Sequence, residues 1–198
     1  MSLKDTIALR RSHYGISNKI DISDAELRNI LETALKHVPS AFNSQSARFV
    51  LLLGDNHKKL WNIVKETLRK IISAEAFKAT ESKIDNSFAS GYGTILFYED
   101  QKVVKGLIEQ FPSYASYFPQ YSEHTAGMHQ FAVWTMLREA GIGATLQHYQ
   151  PLIDEEVAKT WNIDPEWKLI AQMPFGNPTA EAGEKQFNSI EDRLKVFK

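Results

Sequence analysis

No cysteine occurs in the 198 residues, which removes disulfides, thiolate metal sites and a cysteine nucleophile from consideration. Net charge is almost absent too. Lys and Arg number 23 against 24 Asp and Glu, leaving −1 at pH 7, so nothing attracts the chain generally to nucleic acid or to an anionic membrane. The Lys58-Lys59 pair is too short for a basic patch. No apolar run approaches the roughly 20 residues of a membrane span. The opening Met1-Ser2-Leu3-Lys4-Asp5 lacks the apolar stretch of a signal peptide. These absences lead us to expect a cytoplasmic globular protein without nucleic-acid or membrane partners. Recognisable catalytic spacings are missing as well: there is no nucleophile–base pair and no carboxylate pair in an obvious cleft. His124 and His129 are five apart and do not share a helix face as zinc ligands at i and i+4 do. A hydrophobic content of 43% suits one domain with a sizeable core. If such a chain is an enzyme, a cofactor carries the hard chemistry.

What is present centres on Val38 to Gly54, V-P-S-A-F-N-S-Q-S-A-R-F-V-L-L-L-G. Pro39 to Ser46 is small, polar and rich in amides and hydroxyls, a loop composition. Phe49 to Leu53 is an unbroken apolar run closed by Gly54, as expected of a strand buried on both faces. Polar loops at the ends of buried strands are where α/β proteins hold ligands. Ser40, Asn43 and Gln45 carry donors and acceptors but no charge, which suits a planar hydrogen-bonding ligand better than a metal. Taken alone, the same residues also describe a turn whose Asn and Ser satisfy backbone groups. Upstream, Ser2 and Asp5 open a short helix over Leu3 to Leu9. Arg10-Arg11-Ser12-His13 follows it. Two adjacent guanidiniums and a hydroxyl can neutralise and hydrogen-bond a phosphate, although a solvated basic helix end reads the same way.

Pro-Ser-x-x-Asn-x-Gln running into an apolar strand, with Arg10-Arg11-Ser12 before it, resembles the nitroreductase family. The variant P-S-A-F-N-S-Q-S-A-R, with Ser46 where many members have proline, is similar to the compact branch that includes fatty-acid-repression-type proteins. Matches at Gly141–Gln147 and Glu191–Lys195 extend the likeness over essentially the whole chain. The resemblance implies a single α/β (α+β) domain over residues 1–198, with a central mixed sheet flanked by helices, in an intertwined homodimer. It implies FMN at the interface, NAD(P)H as co-substrate, and a small electrophilic acceptor such as a nitroaromatic or quinone, reduced by ping-pong hydride transfer. By the same likeness, Arg10, Arg11 and Ser12 grip the FMN phosphate, with Arg193 and Lys195 closing from the C-terminal side. Pro39, Ser40, Asn43 and Gln45 reach a flavin held mainly by the other subunit, while Leu146, Gln147 and His148 line the flavin edge. Tyr14 stands where the family often has another basic residue, which weakens that contact. Lys83 and Lys185 are outlying candidates. His148 reads either as a general acid or as an ordinary loop histidine. An alternative reading of the whole is a flavin-binding regulatory protein with incidental redox turnover. A third is a cofactor-free interaction module built on the apolar Phe131–Leu137 segment.

The remaining pattern supplies scaffold. Ser23-Asp24-Ala25-Glu26 is a capping box opening a helix to Lys36. Asn56 caps a long helix from His57 to Ala79, with Lys78 to Asp85 as its solvated end. Ser90-Gly91-Tyr92-Gly93 turns into a buried strand over Thr94–Tyr98. Asp100 caps a helix from Gln101 to Gln110, closed by Pro112. Phe111 to Tyr121 holds five aromatics and two prolines in eleven positions. It reads either as a lid offering Tyr114, Tyr117 and Phe118 to flat substrates, or as a loop packed on the core or a partner. A helix opening at Ser122 or Glu123 ends at Gly141. A third strand covers Gly143–Tyr149, a short helix Asp154–Trp161, and a fourth strand Trp167–Met173. Pro174 to Pro178 stops that strand, and Ser189 caps a last helical turn.

Overall fold

A computed structural model describes residues 2–198; Met1 of the opening segment lies outside the described residues. The long strands are β2 (Ala47–Leu53), β3 (Gly93–Asp100) and β5 (Trp167–Pro178), with two short ones, β1 (Ile16–Ser17) and β4 (Gly143–Ala144). They form one five-stranded sheet in the order β1-β5-β3-β2, and β4 also pairs with β5. All pairings between these strands are antiparallel, and the parallel component of the expected mixed sheet is a single bridge, Ser12 to Ala144. The fold is α/β with a central sheet flanked by helices, as the resemblance implied.

β3 lies between β2 and β5 and is buried at every position. Its alternation sends Ile95 and Phe97 to one face, where α2 (Asp24–His37) and α6 (Phe118–Glu139) supply Leu27, Leu31, Val133 and Leu137. Leu96 and Tyr98 face the other way, onto α3 (Gly54–Arg69), α4 (Ala74–Ser87) and α7 (Asp154–Trp161). On that second face one polar chain is complete. Trp61 donates its indole N–H to Thr94 Oγ1 (3.0 Å), which lies 2.9 Å from His57 Nδ1, and His57 Nε2 meets the Ala89 carbonyl at 3.2 Å. A carbonyl only accepts, so Nε2 carries the proton and Nδ1 accepts from Thr94. Burial holds this neutral imidazole's pKa down at about 4.

Several boundaries differ from the sequence expectation. Ser23 forms the expected capping box on α2, and the expected Ser2 cap on α1 (Leu3–Leu9) proves to be a capping box with Asp5 as well. The long helix after β2 is two helices. Ser73 accepts from the Ala76 N–H and starts α4, which therefore contains the stretch expected as a solvated end. Arg69 to Glu81 (3.0 Å), Lys65 to Asp85 (2.7 Å) and Arg69 over the Phe77 ring join the pair. Asn56 does not cap; its side chain accepts from the Trp161 indole at 3.0 Å, and α3 begins directly after β2 at Gly54, whose φ is +55°. The third strand shrinks to Gly143–Ala144 plus an isolated Gln147–Gln172 bridge.

β5 continues through Pro174 to Pro178 instead of stopping. Proline removes only a donor, and here the carbonyls carry the pairing: Pro174 O accepts from Thr145 N–H and Phe175 O from Tyr92 N–H. At Gly176 a Cβ would stand 2.0 Å from the Ser17 carbonyl oxygen, so only glycine lets β1 approach. α5 (Gln101–Gln110) opens on Asp100 as expected. The aromatic stretch after it is no free loop, since Pro112–Tyr114 is a 3₁₀ turn and Phe118 already begins α6, closed by Gly141 at φ +78°.

Candidate functional site

Two of the candidate groups meet beside β4. Ser12 bridges Ala144, and the His13 N–H donates to the Ala144 carbonyl at 3.0 Å, so Arg10-Arg11-Ser12 lies against the start of Thr145–His148. The Arg10 guanidinium sits 4.3 Å from the centre of the Trp134 ring on α6. Burial and then the adjacent Arg11 lower its pKa. Behind it, His13 Nε2 and Arg138 Nε are buried without a partner among the described residues. Burial lowers the His13 pKa as well, with Arg138 and Arg11 adding repulsion against a backbone bond to Ala180 and the charge of Glu181. Arg10, Arg11 and Arg138 gather here against the carboxylate of Glu181, a net positive charge of the kind that holds an anion.

The Thr145–Gln150 segment is set by Gln172, which is fully buried on β5. The Gln147 N–H donates to the Gln172 carbonyl (2.7 Å), while Gln172 Oε1 accepts the Tyr149 N–H (2.8 Å) and its Nε2 donates to Gln150 (3.0 Å). Gln147 Nε2 donates to Thr145 Oγ1 at 3.0 Å. Leu146 and Gln147 are half-buried and His148 is exposed. His148 stands at the rim of a groove of about 440 Å³, lined also by Gln130, Gln150, Gly127 and the Lys168–Glu123 ion pair. That volume suits a small organic ligand.

The Pro39–Gln45 loop is built differently. Phe42, Asn43 and Gln45 have φ of 56°, 52° and 51°, left-handed values that cost a non-glycine residue roughly 1–2 kcal/mol each. Tethers offset this. Ser40 Oγ accepts the Gln45 N–H (3.0 Å), Arg48 donates to the Gln45 carbonyl (2.8 Å), and Ser46 O accepts the Asp100 N–H (2.9 Å). Pro39, Asn43 and Gln45 face solvent, while Ser40 is half-buried. Phe42 packs its ring on Phe111, Tyr114 and Phe118 at centroid distances of 4.7, 5.9 and 5.4 Å. Loop and aromatic segment thus form one unit. Phe118 is its buried base, leaving Tyr114 and Tyr117 as exposed rings.

Both units rest on α6 but at different ends. From Ser122 to Trp134 is about 18 Å along the helix axis. Arg193 and Lys195 lie on the exposed tail, without ion-pair partners among the described residues. Lys83 lies 5.8 Å from the Tyr14 ring, and Lys185 5.2 Å from that of Phe187.

Sequence reading missed four contributors: Arg138 and His13 behind the arginines, Gln172 under the groove, and Glu99 beneath the loop. Glu99 had a visible signal. It is an acidic residue on the β3 face that Ile95 and Phe97 bury, where period two puts it inside. Arg138 had none, because its place beside His13 is a tertiary contact.

Comparison with known proteins agrees with this architecture. The profile of the Nitroreductase family matches residues 7–177. The nitroreductase FRM2 of Saccharomyces cerevisiae is 33% identical over 195 residues, 98% of this chain and 95% of its own. The nitroreductase CinD of Lactococcus lactis, solved with chloramphenicol, is 43% identical at a TM-score of 0.89, and its complex with 4-nitrophenol is 44% identical at 0.89; coverage is 100% of both chains in each case. A protein from Desulfovibrio desulfuricans solved with FMN shares the fold at a TM-score of 0.72, with 18% identity over 100% of this chain and 98% of its own. On this evidence the chain belongs to the nitroreductase family and is an oxidoreductase enzyme.

Proposed function

We propose that this oxidoreductase is an FMN-dependent NAD(P)H oxidoreductase working as a homodimer on nitroaromatic or quinone-type acceptors. The observation that carries the reading is the net positive charge beside β4, three arginines against the carboxylate of Glu181. Arg10 is half-buried against Trp134 with Arg11 next to it, and the Ser12 hydroxyl is exposed alongside. These donors fit a phosphate monoester dianion. FMN bound there would supply hydride chemistry, receiving from NAD(P)H and delivering to the acceptor at one shared place, which implies ping-pong kinetics. The chain's own residues bind and orient. Arg10, Arg11 and Ser12 hold the phosphate; Leu146, Gln147 and His148 meet the edge of the ring. Ser40, Asn43 and Gln45 hydrogen-bond ring and ribityl chain on the loop that Pro39 opens, and Tyr114 and Tyr117 offer flat faces to the acceptor.

The dimer in this reading explains the distance along α6. The Pro39–Gln45 loop serves the flavin held by a second copy, and Arg193 and Lys195 reach the phosphate once the tail is docked. Exposed apolar residues support it. Leu3, Ile7 and Phe131 surround a groove of about 330 Å³ with Met136, and the tail exposes Phe187, Ile190, Leu194 and Phe197. FMN in the fold relative and 4-nitrophenol and chloramphenicol in the CinD structures support the cofactor and acceptor classes.

The test is an absorbance spectrum of freshly purified protein, followed by initial rates with NADH or NADPH and a panel of nitroaromatics and quinones. A flavin spectrum and parallel double-reciprocal lines are expected. Protein that stays colourless after incubation with FMN overturns the reading. Slow turnover with every acceptor would transfer the case to the regulatory alternative.

A further inference from the structure

Beneath the Pro39–Gln45 loop lies a carboxyl group that neither the anion cluster nor the groove uses. Glu99 is 1% exposed, on the face of β3 that carries Ile95 and Phe97. Its Oε2 accepts from two hydroxyls at once, Ser46 Oγ at 2.5 Å and Ser122 Oγ at 2.8 Å. Its Oε1 is buried with no partner among the described residues. No cation neutralises it directly, since the nearby Arg48 is committed to Asp100 Oδ2 (2.9 Å) and to the carbonyls of Gln45 and Ala47. A carboxyl so placed is a poor packing element, because a buried unpaired oxygen costs stability that an apolar side chain of similar size would not.

What Glu99 does have is position. Ser46 directly follows Gln45 and ends the loop containing three left-handed non-glycine residues. Ser122 lies on the first turns of α6, one residue beyond Tyr121 and four beyond Phe118, the base on which Phe42 rests. One oxygen therefore ties both halves of the loop–aromatic unit to the sheet.

We propose that Glu99 is a positioning residue for the flavin-contacting loop. By fixing Ser46 relative to Ser122 it holds Asn43 and Gln45 in the left-handed conformation that presents their amides outward. Its worth lies in the geometry of the loop and not in the stability of the core. The flavin arm of this inference rests on the function proposed above; the backbone arm does not.

Three substitutions separate the roles. Glu99→Leu keeps the volume and removes both bonds. Loss of the buried carboxyl offsets the two hydroxyls left without an acceptor, so its melting temperature is expected to stay close to that of the wild type. Exchange of the Gln45 and Asn43 amides should quicken about tenfold while amides within β3 stay protected. FMN affinity, read from quenching of flavin fluorescence, should weaken by a similar factor. Glu99→Gln can still accept both hydroxyls on one oxygen and is expected to restore slow exchange and affinity. Ser122→Ala removes a single bond from a nearly buried site and should give an intermediate increase in exchange, even if the leucine variant fails to fold. Wild-type exchange at Gln45 in Glu99→Leu, or in Ser122→Ala should the leucine variant not fold, overturns the inference, as does loosening by Glu99→Gln equal to that by leucine. If wild-type protein binds no FMN, the function proposed above fails, and the exchange measurement still decides this one.

Discussion

Two of the buried polar networks, one on each face of the sheet, are opposites. Under α3, the chain Trp61–Thr94–His57–Ala89 is closed: every donor has an acceptor, and the imidazole is kept neutral. Under the start of α6, Glu99 receives two hydroxyls and leaves an oxygen unpaired, and burial raises its pKa more than those bonds lower it. The closed network sits among Leu60, Val64 and Phe88, whereas the open one adjoins a strained, solvent-facing loop. A satisfied network rigidifies a scaffold. An unsatisfied one beside strained backbone marks the part of the molecule shaped for contact with something else. The anion cluster, with its unpartnered His13 and Arg138 atoms, belongs to the same face.

Three experiments test the division, in descending order of expected effect. Trp61→Ala removes a fully buried ring and should cost about 3–5 kcal/mol of stability, seen in urea unfolding, with FMN affinity of the folded protein unchanged. A comparable loss of affinity would mean that the scaffold face shapes the site after all. Next is pH. His57 titrates near 4 when folded and near 6.5 as an ordinary histidine, so the unfolded chain takes up its proton first. Its contribution is complete above pH 6.5 and disappears as pH falls through about 4, a change of up to about 3 kcal/mol at 1.36 kcal/mol per pKa unit. Urea midpoints measured across that window should fall less steeply for His57→Gln; parallel curves would remove His57 from the account. Finally, Arg10→Ala should weaken FMN binding roughly 10- to 100-fold through loss of charge-assisted hydrogen bonds. Calorimetry of the flavin-free protein should show a change of about 1 kcal/mol or less, the scale of the lost contact with Trp134. Equal losses in binding and stability would place Arg10 with the scaffold.

How far the sequence reached can be judged element by element. The Ser2 cap, the capping box at Ser23, the Asp100 cap and the Gly141 stop were legible because each is a local hydrogen-bonding pattern written within four residues. The break at Ser73 was overlooked because the apolar period runs on through Ile71 and Ile72, and periodicity hides a cap that tertiary contacts make effective. Pro174 looked like a terminator because its missing donor is visible in sequence, while the N–H that donates to its carbonyl and keeps it in the sheet comes from Thr145, far away along the chain. Among site residues, the polar character of Ser40, Asn43 and Gln45 was plain. The left-handed backbone of Phe42, Asn43 and Gln45 was not, since none is glycine.

By itself the sequence determined the helix starts that carry a local cap, at Ser2, Ser23 and Asp100, the buried strand β3 and the candidate polar and basic groups, since these follow from neighbour chemistry and period. The Phe49–Leu53 run, read as buried on both faces, is a half-buried edge strand. Only the tertiary structure decided which groups meet. It set Ser12 against Ala144, aimed Glu99 at two serines on different segments, buried Phe118 while leaving Tyr114 and Tyr117 open, and put the loop and the arginines at separate ends of α6. Those outcomes depend on which faces pack together, and packing joins residues far apart in the chain, whose relation no local pattern records.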